Sequence, residues 1–324
     1  MKILSSVKDL ILTNRTVLLR TNYDVPLKEG KVVDSSRIKE SLSTINYLLE
    51  QKAKVIILSH LGRPEGKVVP ELSLKPVEGI LNQLLQGNKV KLLENLRFDP
   101  REEKNEESLA KELASLGDFY INDAFAVSHR QHASIVGIPQ FLPSAFGLDF
   151  LKEIEVLSKV REKPNRPVTV ILGGVKEDKL KMVDQLVSWA DFILIGRKLP
   201  QLVEKTYPKK VIIAQLKAEG EDITLESVNK FKEIIGQSGT IIWAGPMGVF
   251  EKAESELGTR QMAQAIVESQ AFKIVGGGDT GAALTKFNLE EKIDYLSSGG
   301  GAMFEFLAKG TLPGIEAITE KQND

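Results

Sequence analysis

Four short polar stretches in the first half of the chain combine cations with groups able to hold an anion. They are Arg20-Thr21-Asn22-Tyr23-Asp24-Val25-Pro26, Ser59-His60-Leu61-Gly62-Arg63-Pro64, Glu94-Asn95-Leu96-Arg97-Phe98 and Asn122-Asp123-Ala124-Phe125, the last followed by His129-Arg130-Gln131-His132. Arg37 opens the helical pattern after the first stretch. Guanidinium forks match the geometry of phosphate and carboxylate. On one rim, Arg37, His60, Arg63, Arg97 and Arg130 would therefore form a cationic site for a small anion. Any single arginine reads better as a solvated charge, or as a partner of Asp24, Glu94 or Asp123. Four strand ends in succession favour a site. All three histidines lie in these loops. His60 is read as a binding group, His129 and His132 as its support.

The second half carries glycine instead. Its runs are Gly173-Gly174-Val175-Lys176-Glu177-Asp178-Lys179, Trp243-Ala244-Gly245-Pro246-Met247-Gly248-Val249-Phe250-Glu251, Gly276-Gly277-Gly278-Asp279-Thr280-Gly281 and Ser297-Ser298-Gly299-Gly300-Gly301-Ala302. The last two precede helical patterns. Free N–H groups at a helix start, together with the helix dipole, attract anions. The dipole contributes only about 0.3–1 kcal/mol at an exposed site, so a phosphate there also needs lysine and Mg²⁺. Asp279 is the candidate Mg²⁺ ligand, because that ion uses one or two carboxylates alongside phosphate oxygens. Two other readings stay open. Any one run could be a tight turn or a close helix–sheet contact. The run from Gly276 to Gly281 also fits G-x-G-x-x-G with Asp294 downstream, the dinucleotide fingerprint. It falls near the chain end rather than in the first βαβ unit, and no Walker A motif occurs.

Short β-branched runs alternate with amphipathic patterns along the chain, as at Lys54–Leu58, Val168–Leu172 and Thr240–Trp243 for strands and 37–51 and 106–116 for helices. That alternation predicts α/β architecture with parallel sheets. An apolar stripe on Leu148, Leu151, Ile154 and Leu157, stopped by Pro164 and Pro167, predicts one helix over about 147–163. The expected organisation is two doubly wound, Rossmann-like parallel-sheet domains, 1–150 and 151–311, joined by this hinge helix, with a tail over 312–324 returning to brace them. Each polar motif then lies beyond the carboxyl end of a strand, where open α/β sheets bind ligands. The 324 residues include 43 basic and 44 acidic side chains, a balance that offers neither a nucleic-acid footprint nor a polybasic membrane surface. With no cysteine, thiolate chemistry and disulfides are excluded. No apolar stretch approaches the roughly 20 residues of a membrane span. The start of the chain lacks a signal-peptide core, so a cytoplasmic location is expected.

Read together, SHLGRP, LLENLRF, EEKN, INDAF, HRQHAS, GGVK, WAGPMGVFE, GGGDTGAA, SSGGGAMFE and LPGIEAI resemble the phosphoglycerate kinase family, in family order from about Arg20 to Ile318. The resemblance implies that the first domain binds 3-phosphoglycerate or 1,3-bisphosphoglycerate through Asn22, Asp24, Arg37, His60, Arg63, Arg97 and Arg130. It implies that the second binds Mg²⁺-ADP or Mg²⁺-ATP through Gly173, Gly174, Lys176, Gly196, Pro246, Glu251, Gly276, Gly277, Gly278, Asp279 and Thr280. Glu251 would take the ribose hydroxyls and Asp279 the metal. Arg37, Lys176, Lys179 and the helix start at Gly299, Gly300 and Gly301 would surround the migrating phosphoryl group. A monomer is implied.

The chain departs from the family pattern in several places. It is shorter before LLENLRF and between Gly196 and Trp243, where Arg197 and Lys198 replace a glycine-rich loop. The family's Asp-x-Asn is reversed to Asn22-Tyr23-Asp24, and Ala244 stands for Asn. The two lysines after Gly174 lie one residue closer together. If the loop absorbs that loss, Lys179 keeps its direction; if the helix register shifts, Lys179 turns by about 100°. The alternatives are a ligand-binding pseudoenzyme and, from the fingerprint, a dinucleotide oxidoreductase.

Overall fold

The computed structural model describes residues 4–175 and 178–319. The chain divides into two compact units, Met1–Glu155 with Thr311–Asp324, and Val156–Gly310. The first contains β1 (Thr16–Arg20), a hairpin of β2 (Leu27–Lys28) and β3 (Lys31–Val32), β4 (Lys54–Leu58), β5 (Lys91–Leu92), β6 (Phe119–Asn122) and β7 (Ser144–Phe146). The five parallel strands of its main sheet run in the order β5-β4-β1-β6-β7. β1 reads as a continuous apolar run, not an alternating one, because helices cover both faces: Val17, Leu18 and Leu19 are all fully buried. β7 escapes sequence reading. Its Ser-Ala-Phe has no β-branched residue, yet it pairs in parallel with β6 and buries Phe146.

The helix expected over 37–51 is two helices, Ser36–Glu40 and Leu42–Glu50. Ser41 separates them. Its Oγ donates to the Ile38 carbonyl at 2.8 Å and also meets the Tyr23 hydroxyl at 2.8 Å, a side-chain bond of the kind that bends helices. The helix Leu148–Glu162 starts as expected, and the division between the units falls within it. Its first turn is held by the first unit. Phe150 N–H donates to Asp123 Oδ1 at 2.9 Å, and Leu148 N–H to Thr44 Oγ1 at 2.9 Å.

The second unit holds β8 (Val168–Leu172), β9 (Phe192–Ile195), β10 (Val211–Ile213), β11 (Thr240–Ala244), β12 (Phe272–Gly276) and β13 (Tyr295–Ser297). These six form a parallel sheet in the order β10-β9-β8-β11-β12-β13. Counted from β8 this is the Rossmann order, which reverses direction between β8 and β11. Trp243, Phe231 and Met262 fill the core beneath it. At the reversal the backbone crowds. Gly173 N–H donates to the Ala244 carbonyl at 3.1 Å, and Gly174, at φ +97°, donates to the Pro246 carbonyl at 3.1 Å.

Two outcomes are expected. A Cβ on Gly173 would fall 2.3 Å from the carbonyl oxygens of Gly245 and Pro246. Gly173→Ala should therefore destabilise the second unit by about 1–3 kcal/mol, read as a lower urea midpoint. Burial, then Asp149, push the Asp123 carboxyl up to about 7, above the ~3.9 of an unfolded aspartate. The fold thus favours its neutral form: the stabilisation is complete below about pH 4 and is lost as pH rises through about 7. Asp123→Asn keeps an acceptor for Phe150, so its stability relative to wild type should rise between pH 4 and pH 8. A pH-independent difference in urea melts would contradict this.

Candidate active site

At the carboxyl edge of the first sheet, the polar stretches interlock. Asp24 Oδ1 accepts the Gly62 N–H at 2.8 Å, and the Gly62 carbonyl accepts Arg97 Nη1 at 2.7 Å. Arg37 donates to the Asp24 carbonyl. Asn22 Oδ1 accepts the Asp24 N–H at 3.3 Å, so the reversed pair forms a local turn. Gly62 adopts a left-handed φ of +63°, and a Cβ there would fall 2.7 Å from Leu72 Cδ2. Arg63, next in sequence, is exposed, while Arg130 is half-buried with a buried Nε that has no hydrogen-bond partner. None of Asp24, Glu94 and Asp123 pairs with an arginine among the described residues. Glu94 instead accepts the N–H groups of Leu74 and Asn95, each at 2.8 Å. Among the described residues, the one carboxylate within ion-pair distance of Arg37, Arg63, Arg97 or Arg130 is Glu103, 3.3 Å from Arg97 Nε.

Behind this rim lies a residue that sequence reasoning passed over. Arg20 ends β1 and is fully buried. It donates Nε to Ser134 Oγ at 2.8 Å, Nη1 to the Thr21 carbonyl, and Nη2 to His60 Nδ1 at 3.2 Å. A guanidinium can only donate, so His60 Nδ1 accepts and the ring carries its proton on Nε2. A signal was present: the apolar run Thr-Val-Leu-Leu closes on an arginine at a strand's carboxyl end.

The electrostatics follow from crowding like charges in a dry place. Burial, then Arg20 and Arg97, hold the His60 pKa well below the usual histidine range. His132 is brought down to about 3 by burial, then by Arg97 and Arg20. Both rings are neutral at pH 7, so the arginines carry the charge. Arg97 itself is lowered to about 10 by burial, then by Arg130 and Arg20, and it stays protonated at neutral pH. The cluster of Arg20, His60, Arg97, Arg130 and His132 is thus poised to gain from an incoming anion.

In the second unit the glycine runs meet at the carboxyl ends of β8, β11, β12 and β13. β12 ends in Gly276. Gly277, at φ +94°, then caps the helix Gly278–Lys286. Gly299 caps the helix Gly300–Lys309. A Cβ on Gly300 would lie 3.0 Å from both Ala244 Cβ and the Gly276 carbonyl oxygen, and one on Gly276 would lie 2.8 Å from Met303 Cε. The substitution at Ala244 therefore sits where Gly300 leaves little room. Gly278, Asp279, Gly301 and Glu251 are exposed, while Gly173, Gly196, Pro246, Gly299 and Gly300 are buried. Thr280 faces inward: its Oγ1 accepts the Gly245 N–H at 2.7 Å and reaches the Gly276 carbonyl at 3.3 Å. Lys176 lies outside the described residues, as does the side chain of Lys179, whose backbone is in the first turn of the helix Asp178–Leu186.

Two residues that the motifs did not flag hold the loop after β11. Thr259 Oγ1 accepts the N–H groups of Met247 and Gly248 at 3.1 and 2.9 Å. Asp222, fully buried, accepts the N–H groups of Ile223 and Gly258 at 2.9 and 3.0 Å and lies 3.2 Å from Lys217 Nζ. No group of three or more histidine or acidic side chains could hold a metal among the described residues. One exposed carboxylate at a helix start suits an ion whose other ligands are phosphate oxygens and water, and Asp279 meets that description.

The phosphoglycerate kinase family model matches residues 7–92, 85–211 and 198–310. The phosphoglycerate kinase of Finegoldia magna is 38% identical over 391 aligned positions, covering 98% of this chain and 99% of that protein. That of Moorella thermoacetica is also 38% identical, with the same coverage. Because the alignments are longer than this chain, relatives carry segments that it lacks. Among solved structures, the phosphoglycerate kinase of Coxiella burnetii superposes with a TM-score of 0.79 at 32% identity, over 98% of this chain and 100% of that one. That of Pyrococcus horikoshii gives 0.83 at 28%, over 98% and 99%. The cationic edge, the paired glycine helix starts and matches running through both units lead to one conclusion: the chain belongs to the phosphoglycerate kinase family.

Proposed function

We propose that this protein transfers a phosphoryl group between 1,3-bisphosphoglycerate and ADP, giving 3-phosphoglycerate and ATP. The observation that carries the reading is the extent of the match: coverage of 98% of this chain and 99% of its relative leaves neither half unaccounted for. The geometry supports it. The first unit offers more arginines than its two neighbouring carboxylates, Glu102 and Glu103, can offset, suited to a molecule with a carboxylate and a phosphate. The second offers two open helix starts beside a strand reversal, suited to a nucleotide.

Transfer toward ATP needs no proton shuttle. A β-phosphate oxygen of ADP attacks the acyl phosphorus, the bond from phosphorus to the carboxyl oxygen breaks, and the carboxylate leaves with the bonding pair. Such transfers depend on positioning and charge neutralisation. Asn22, Asp24, His60, Arg63, Arg97 and Arg130 would hold the phosphoglycerate, with His60 donating from Nε2. Arg37, Lys176, Lys179 and the N–H groups of Gly299–Gly301 would face the moving group. Gly173, Gly174, Gly196, Pro246 and Gly276–Gly278 would shape the nucleotide floor, Thr280 would brace it, and Glu251 would take the ribose. Asp279 would hold Mg²⁺, which when bound offsets phosphate charge. The helix Leu148–Glu162 would serve as the hinge between a phosphoglycerate unit and a nucleotide unit, with the tail from Leu312 bracing them. No helix among the described residues is long and apolar enough to cross a membrane. We place the protein in the cytoplasm as a monomer acting on small molecules.

Purified protein given 3-phosphoglycerate, ATP and Mg²⁺ should form 1,3-bisphosphoglycerate in a coupled assay. Arg37→Ala should lower kcat by about 100-fold or more, as expected when a group facing the transferred charge is removed. Absence of turnover in the wild type would overturn the reading. Asp279→Asn should raise the Mg²⁺ needed for half-maximal rate by roughly tenfold or more, the scale of loss when a metal site is weakened. An unchanged Mg²⁺ titration would remove Asp279 from that role.

A further inference from the structure

The motif EEKN is absorbed by neither proposed site, yet its first residue is the most enclosed carboxylate of the first unit. Glu102 is fully buried. Its Oε2 accepts the Ser134 N–H at 2.9 Å and its Oε1 accepts the Ser134 hydroxyl at 2.5 Å. Ser134 Oγ in turn accepts Arg20 Nε at 2.8 Å. Glu102 Oε1 lies 4.0 Å from Arg20 Nη2 and 3.8 Å from His132 Nδ1. A buried charge must be paired and hydrogen-bonded to persist, and Glu102 is the carboxylate that meets Arg20.

We infer that Glu102 is a positioning residue for phosphoglycerate binding, acting through Ser134 and Arg20 on His60. Glu102 keeps Arg20 charged and pinned inside the unit. Arg20 then occupies His60 Nδ1, and the imidazole is left with one N–H, on Nε2, for the ligand. Without the carboxylate, Arg20 is an uncompensated buried cation that must leave its place, and His60 loses the bond that fixes its tautomer. The inference rests on the kinase reading for the identity of the ligand, but the tautomer itself does not depend on that reading.

The test is Glu102→Gln in the full chain, read in two ways. In nitrogen NMR of the three histidines, assigned by single His→Asn variants, wild-type His60 should show a protonated Nε2 and a bare Nδ1. The variant should show a mixture. In the coupled assay, the variant's KM for 3-phosphoglycerate should rise by about tenfold or more, the loss of roughly one charge-assisted hydrogen bond, while KM for ATP is unchanged. Should Glu102→Gln fail to fold, Ser134→Ala interrupts the same relay more gently and should move both readouts in the same direction. A folded variant of either kind with the wild-type tautomer and an unchanged KM for 3-phosphoglycerate would overturn the inference. A wild type that shows the expected tautomer but no turnover would sink the kinase reading and leave the positioning intact.

Discussion

The first unit depends on keeping positive charges close together while neutralising them only in part. Arginines packed in a low-dielectric setting repel one another, and Arg97 is lowered first by its burial and then by Arg130 and Arg20. Most proteins would settle such a cluster with acidic neighbours. Here Glu102 meets Arg20 and Glu103 meets Arg97, but the other carboxylates near the edge have other partners. Asp24 holds Gly62, Glu94 holds two backbone amides, and Asp123 caps a helix. Carbonyl groups of Gly62, Asp24 and Thr21 take the guanidinium protons instead. A carbonyl orients an arginine without cancelling its charge. The edge is therefore aligned but unsatisfied, which suits it to a ligand with two anionic ends.

The second unit meets a different constraint. A nucleotide phosphate brings its own charge, and what it needs is close access to backbone N–H groups. Access is limited by Cβ atoms, and at the reversal between β8 and β11 there is no room for one on Gly173. The fit is tight but softer where Gly276 and Gly300 meet: a Cβ on Gly300 would lie 3.0 Å from Ala244 Cβ, and one on Gly276 2.8 Å from the flexible end of Met303. These glycines are packing requirements first. The anion-binding geometry follows, because two helices can then start side by side, with Gly278, Asp279 and Gly301 open to solvent.

Much of this was legible in the sequence because it is periodic or local. The strand runs of β1, β4, β6 and β8 to β13, the helix Leu148–Glu162 and the glycine helix starts all announce themselves within a few residues. What could not be read depends on neighbours distant in the chain. β7 has no strand-like composition and exists because β6 offers an edge. Ser41 breaks a helix through a contact with Tyr23. Arg20 is seen as a site residue only once β1 and β4 place it against His60. Ser134 and Glu102 lie far apart in sequence and meet only in the folded unit. The interior role of Thr280, which a motif assigns to a ligand, emerges only when the loop after β11 comes to rest on it.

That loop also bears on how much of such an enzyme is dispensable. Relatives carry segments that this chain lacks, and the turn from Trp243 to Glu251 is fastened here by two side chains. Thr280 grips its start and Thr259 its middle, while Asp222 leaves no room for a Cβ on Gly248. These two anchors come from two helices, Gly278–Lys286 and Leu257–Glu268. For anyone paring the fold down to a minimal scaffold, the side chains that fasten this turn are the part to keep.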